Sequence, residues 1–223
     1  MTNLILSVIF FFICQNAYCQ NKAPWVGTNF QGIPCQGQGQ GYGPYDYTNT
    51  NERSKIPIVE DYHFTPEVEN HIKGKSGNIE GDLDYTLRAV PNHHKALLSA
   101  IRYQIKLNSK LLTKNHPLET PMECYLQRAI HFSPEDAASV ALYAYYLKEV
   151  GQLDKANQTY QKAIQIAPDN AKIAYSYSFL LIELKQYDKA VEFAKIAYAN
   201  GKTPPTLKNK LIKLGAWPQQ GDK

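Results

Sequence analysis

Pro134 and Pro168 lie 34 residues apart, and the stretches that follow them carry matching small and large apolar residues. That period constrains a chain severely. A unit of this length is a helix, a turn and a second helix, and it hides its apolar face only by stacking on another such unit. In the first unit the small residues that let helices approach are Ala144, Ala156 and Ala163, and the bulky ones are Val140, Tyr143, Leu147, Leu153, Tyr160 and Ile166. The next unit places Ala174, Tyr177, Ser178, Leu181, Tyr187, Ala190, Ala194 and Ala197 at the equivalent sites. Within each half the apolar residues recur at three and four, as a helix with one buried stripe requires. Gly151 separates the halves, because glycine adopts the positive φ of a helix C′ position without steric cost. Ser133, Pro134 and Asp136 predict a helix start, as N-cap, first-turn proline and capping-box acid. Asp169 or Asn170 marks the corresponding start one unit on.

Over residues 135–201 this pattern resembles the tetratricopeptide repeat family, with Ala194 standing where a large aromatic is usual. The resemblance implies an all-α fold: a solenoid of helical hairpins with units at 135–168 and 169–201 and a degenerate unit before them at 86–134. In the degenerate unit, L-R-A-V-P-N-H-H-K-A-L (87–97) reads as a repeat junction with Pro91 in the closing position and Leu97 on the first helix. Its partner helix falls at 120–132, with Met122, Leu126 and Ala129 on the packing sites. Pro91 to Pro134 spans 43 residues, so about nine extra residues sit between these helices, around Leu112 to Pro121. Residues 202–223 read as a capping helix and tail, with Leu207, Leu211, Ile212 and Leu214 apolar and lysines between them.

In this family the first helix of each unit lines a concave face with its second, fifth, ninth and twelfth positions. Carried onto this chain, those positions are Lys95, Leu98, Arg102 and Ile105, then Ala138, Ala141, Tyr145 and Lys148, then Lys172, Tyr175, Phe179 and Ile182. The expected partner surface is therefore basic and aromatic, carried by Lys95, Arg102, Tyr145, Lys148, Lys172, Tyr175 and Phe179. The carboxylate clamp of chaperone-binding members is missing, because Ala141 and Tyr145 occupy its positions. The expected occupant is a protein or peptide segment with apolar and acidic residues, anchored by aromatic rings and steered by the lysines.

Leu4 to Ile13 is apolar except for Ser7 and leads into A-Y-C-Q, which reads as a secretory signal over residues 1–19. The run is too short to span a bilayer. Two cysteines follow, Cys35 and Cys124, and in an oxidising compartment an even pair reads either as a disulfide or as two independent thiols. A net charge of +4 without a dense cluster does not point to nucleic acid.

Residues 20–85 form an irregular leader rich in Gly, Gln and Tyr. Its centre cannot bury enough apolar surface to fold alone. Either it is a flexible tether, or Tyr42, Pro44, Tyr45 and Tyr47 dock along the helices, and four large groups so close together favour docking. Thr65 and Pro66 can start a short helix with Val68 and Ile72 on one side, and residues 81–91 form another. The segments G-P-Y-D-Y-T, H-F-T-P-E-V-E and D-L-D-Y-T-L-R-A-V-P-N-H-H-K-A-L are similar to a set of secreted tetratricopeptide proteins of Gram-negative bacteria. That similarity implies a periplasmic location and no particular activity.

Catalytic chemistry finds little support. His93 and His94 are adjacent, so on a helix they point about 100° apart and cannot share an ion as an i, i+4 pair could. Helix-start and surface roles are expected for them. Asp82 and Asp84 have no accompanying base, nucleophile or glycine loop. The reading is therefore a non-catalytic adaptor of the cell envelope, without metal or cofactor. The second reading is an accessory subunit of an envelope enzyme or transport system, contacting it through the leader.

Overall fold

The computed structural model describes residues 23–111 and 118–218. The expected signal at 1–19 and most of the expected insertion, residues 112–117, lie outside them. The described helices are α1 (Pro57–His63), α2 (Pro66–Glu69), α3 (Ile79–Ala89), α4 (His94–Leu111), α5 (Met122–Phe132), α6 (Ala137–Glu149), α7 (Leu153–Ile166), α8 (Ala171–Glu183), α9 (Tyr187–Asn200) and α10 (Thr206–Lys213). No strand forms among the described residues, only one isolated bridge between Thr28 and Pro34.

The helices pair as hairpins, α6 with α7 and α8 with α9, and the hairpins stack so that α4, α6, α8 and α10 follow one another in a row. The buried stripe of α7 is Ala156, Tyr160 and Ala163, a spacing of four and three that keeps one face toward its neighbours. Val140, Ala144 and Leu147 of α6 face it in one core with Tyr177, Leu180 and Leu181 of α8. The Tyr160 ring stacks on Tyr177 at 5.3 Å between centroids. A second core joins α3, α4 and α5 through Leu83, Leu87, Leu97, Ile101, Met122 and Leu126.

The repeated proline has a definite structural role, and it is not the one the helix-start motif predicts. Pro134 and Pro168 lie in tight turns closed by Asp136 N–H to the Ser133 carbonyl at 3.1 Å and Asn170 N–H to the Ala167 carbonyl at 3.2 Å. Proline fits such a turn because its φ is already set. The helix then begins only at Ala137, and the N-cap is Asp136, whose carboxylate accepts from the Ala138 and Ser139 amides. Asn170 caps α8 in the same way. At the first junction His93 takes this place: its Nδ1 accepts from the Ala96 amide at 3.2 Å, so Nε2 is left to donate to Glu60 at 2.9 Å. His93 is fully buried, a correction to the surface role expected of it.

Each regular hairpin turns through a left-handed residue. Gly151 has φ 79°, with Gln152 N–H reaching back to the Leu147 carbonyl. One unit later Lys185 adopts φ 59° and Gln186 N–H reaches Leu181, so the bonding pattern recurs without glycine.

The leader docks. Tyr45 N–H donates to the Ala89 carbonyl at the end of α3, and Gly43 passes so near that a Cβ there would stand 2.4 Å from that oxygen. The Tyr47 ring lies over His93 at 4.3 Å, and Tyr42 and Tyr47 pack against Ile56, Val59, Ala89 and Val90. Further upstream, Trp25 meets Tyr125 edge-on at 5.2 Å and the Phe30 amide donates to Glu123 of α5. The sulfurs of Cys35 and Cys124 stand at bonding distance, with their Cα atoms 5.5 Å apart. The short helix α2 ends at Glu69, and Ile72, expected to share the buried side of Val68, is instead exposed because His71 turns the chain with φ 58°.

Candidate functional site

The row of first helices forms a groove of about 680 Å³. From α4 it receives His94, Lys95, Leu98 and Arg102; from α6, Ala138, Ala141, Leu142 and Tyr145; and from the start of α8, Asn170, Lys172, Ile173 and Ser176. The two alanines of α6 open its middle. Lys95, Arg102 and Lys172 are its cations, and no carboxylate lines it. His94 at one edge hydrogen-bonds Asp136 at 2.7 Å. Asp136 stays below the usual carboxylate range: burial opposes this, but the bonds from His94 and Ser139 outweigh it.

Four of the expected partner-binding residues, Lys95, Arg102, Tyr145 and Lys172, share this cavity. The other three stand outside it. Lys148 is held by Glu149 and approaches Glu183 at 3.9 Å, with its Nζ 5.8 Å from the Tyr145 ring centre. Tyr175 and Phe179 pack edge to face at 5.1 Å further along α8, where Lys210 of α10 covers Phe179. The aromatic surface is thus split between the cavity and the C-terminal end.

Sequence reading missed one member of the site. Tyr160 belongs to the second helix of its hairpin, yet it lines the groove from below with its ring fully buried. Its hydroxyl comes near Ser176 but has no satisfied hydrogen bond. Burial pushes its phenol pKa well above the ordinary value. A buried donor without a partner is uncommon, because leaving it unpaired costs about 1–3 kcal/mol. Spacing marks Tyr160 as core and carries no sign that its ring underlies the groove.

The remaining titratable clusters hold the leader and its helices in place. Asp82 accepts from His63 at 2.9 Å and from the Lys75 amide at 2.6 Å. Asp84 pairs with Arg88 at 2.7 Å and with the Tyr125 hydroxyl. Glu60 is held below the usual range by its bond to His93. No group of His, Cys, Asp and Glu among the described residues is arranged to hold a metal ion, and no described helix is long and apolar enough to cross a membrane.

Hairpins stacked through an alanine-lined seam, with their first helices forming a groove, define a tetratricopeptide solenoid. Residues 147–200 match the family model of the tetratricopeptide repeat, so this stretch carries repeats of that family. Among solved structures, MamA is 17% identical, aligning 74% of this chain with 83% of its own at a TM-score of 0.43. YrrB, described as a tetratricopeptide protein with an unusual peptide-binding site, is 18% identical over 72% of this chain and 70% of its own, with a TM-score of 0.43. PilF of Pseudomonas aeruginosa is 14% identical over 73% and 83%, with a TM-score of 0.30. No curated protein matches the sequence. Arrays of this repeat serve as protein-interaction scaffolds through their concave surfaces, and this chain has such a surface.

Proposed function

We propose that the chain is a non-catalytic adaptor that holds a segment of another protein in the groove of α4, α6 and α8. The observation that carries this reading is the groove's lining: three cations and a half-buried tyrosine, with no carboxylate among them. The leader docks on α3, α5 and the start of α4, and none of its described residues lines the cavity. A segment bearing an acidic side chain beside apolar ones complements this surface.

Selection from a random peptide library tests the proposal. Enriched peptides should combine acidic and apolar residues, and Tyr145→Ala with Lys172→Glu should weaken them at least about tenfold, or about 1.4 kcal/mol. Enrichment without acidic residues, or binding indifferent to both changes in a folded variant, would remove the groove from consideration.

The same reading places the protein in the periplasm of a Gram-negative cell, joined across Cys35 and Cys124. The support is the signal-like start and the two sulfurs at bonding distance. Alkylation of protein denatured straight from cells should label neither thiol unless a reductant is added; two thiols labelled without reductant would exclude the bond. Contact through the leader, the accessory-subunit reading, is the less favoured one, because Ala23 and Cys35 are buried against the chain's own helices.

A further inference from the structure

Positive charge gathers at the C-terminal end of the array. Residues 193–218, from Phe193 of α9 through α10 to Pro218, contain five lysines and no carboxylate, while the whole chain carries a net charge of only +4. Lys195, Lys202, Lys208, Lys210 and Lys213 are all exposed, and none forms an ion pair among the described residues. The carboxylates that precede them, Asp188 and Glu192, belong to the first half of α9, and neither pairs with a lysine of this set.

Apolar surface is exposed at the same place. α10 closes the solenoid with Leu207 and Leu211, both fully buried on its inner face. At about 100° per residue, the opposite face falls to Lys208, Asn209, Ile212 and Lys213. Ile212 is 52% exposed there, and Leu214 at the end of the helix is 44% exposed. A terminal helix of a solenoid is ordinarily polar outside; this one sets an isoleucine between lysines. The Tyr198 hydroxyl accepts from the Lys208 amide at 3.0 Å and donates to the Pro204 carbonyl at 2.8 Å, which fixes α10 to the end of α9. The partly buried Trp217 meets Tyr198 edge-on at 6.0 Å, with the Lys208 Nζ 5.3 Å from its ring. Rings that are apolar in body and polar at the tip suit a boundary between water and hydrocarbon.

We propose that the α10 end seats on an anionic phospholipid bilayer, its lysines among the phosphates and Ile212 with Leu214 dipping below them. Charge complementarity and the exposed apolar pair point to the same occupant. A single outward helix face gives an acidic peptide no walls to lie between, whereas a bilayer offers a sheet of phosphates with hydrocarbon directly beneath. Long lysine stems let the ammonium groups stay at that level while the side chains between them enter. A helix of 8 residues acts only at the surface, being far too short to cross. No residue of α9 or α10 lines the cavity of α4, α6 and α8, so this contact is independent of what the cavity holds.

Cosedimentation with vesicles tests this, using the chain without its signal-like residues 1–19. It should pellet with vesicles of phosphatidylglycerol and phosphatidylcholine, stay in solution with phosphatidylcholine alone, and be largely released in about 1 M salt, where the screening length is about 3 Å. Lys208→Gln with Lys213→Gln should weaken binding about 25-fold, at about fivefold for each charge lost at the surface. Lys195→Gln with Lys202→Gln, which leave α10 untouched, should act in the same direction. Ile212→Ser should weaken binding about fivefold at unchanged charge. All three variants alter exposed side chains and should keep the helicity of the wild type. A wild type that ignores anionic vesicles or binds neutral ones equally would overturn the proposal, and so would binding indifferent to both lysine pairs or to Ile212→Ser. Retention on immobilised polyglutamate without any vesicle binding would overturn it too, and would assign the basic end to an acidic protein.

Discussion

Tyr160→Ala lowers the unfolding free energy by about 3–5 kcal/mol, the range for deleting a fully buried aromatic ring. The ring has no exposed surface, and it bridges the α6–α7 hairpin to Tyr177 on α8. Its removal leaves a void that backbones held together by Ala144, Ala156 and Ala163 cannot close, because those alanines are already in contact with their neighbours. Tyr160→Phe separates packing from chemistry. It deletes only a buried hydroxyl that has no satisfied bond, so the variant should be at least as stable as the wild type, and by up to about 1–3 kcal/mol more so. Urea titrations with matched slopes measure both. A cost below 1 kcal/mol for the alanine variant would mean that the hairpins do not stack as described.

Arg128→Ala should destabilise the N-terminal half by about 3 kcal/mol or more, at about 1–3 kcal/mol for each acceptor left unpaired. Arg128 is 3% exposed and donates to the carbonyls of Ala23, Leu87 and Arg88. Its guanidinium also lies 4.8 Å from the centre of the Trp25 ring. Burial brings its pKa down to about 10, so it remains charged at neutral pH. One planar fork thus ties the start of the leader to the end of α3 from within α5. Lysine cannot reach three carbonyls in different directions, so Arg128→Lys should recover little. Calorimetry gives the loss, and limited proteolysis locates it: cleavage should begin between residues 23 and 45 while α6 to α9 resist. A variant whose leader stays protected would show that the remaining contacts suffice.

How much of this could be read from the chain depends on whether a residue's role is local. The stripes of α6 to α9 were legible because spacing alone orients them. The docking of Tyr42 and Tyr47 was legible because clustered rings need cover. The start of α6 was misplaced because serine, proline and aspartate serve a turn as well as they serve a cap. In a turn the proline precedes the helix, and the cap moves to Asp136. His93 was misjudged because its burial depends on Glu60, Phe64 and Tyr47, all distant in sequence. The groove was legible only in part. Positions along the first helices located Lys95, Arg102, Tyr145 and Lys172, but heptad-like counting cannot tell that Glu149 and Glu183 occupy Lys148. Nor can it tell that α10 closes over Phe179.

The N-terminal strap has a consequence for the order of assembly. Its anchors, from Ala23 to Tyr47, find their partners at Ala89, Asn92, Glu123, Cys124, Arg128 and Tyr146. A growing chain makes the strap before its seat, which follows by 45 residues at Asn92 and by 105 at Arg128, so this segment must wait, extended and uncommitted, while helices close behind it. Of the described residues, those synthesised earliest are the ones that set last.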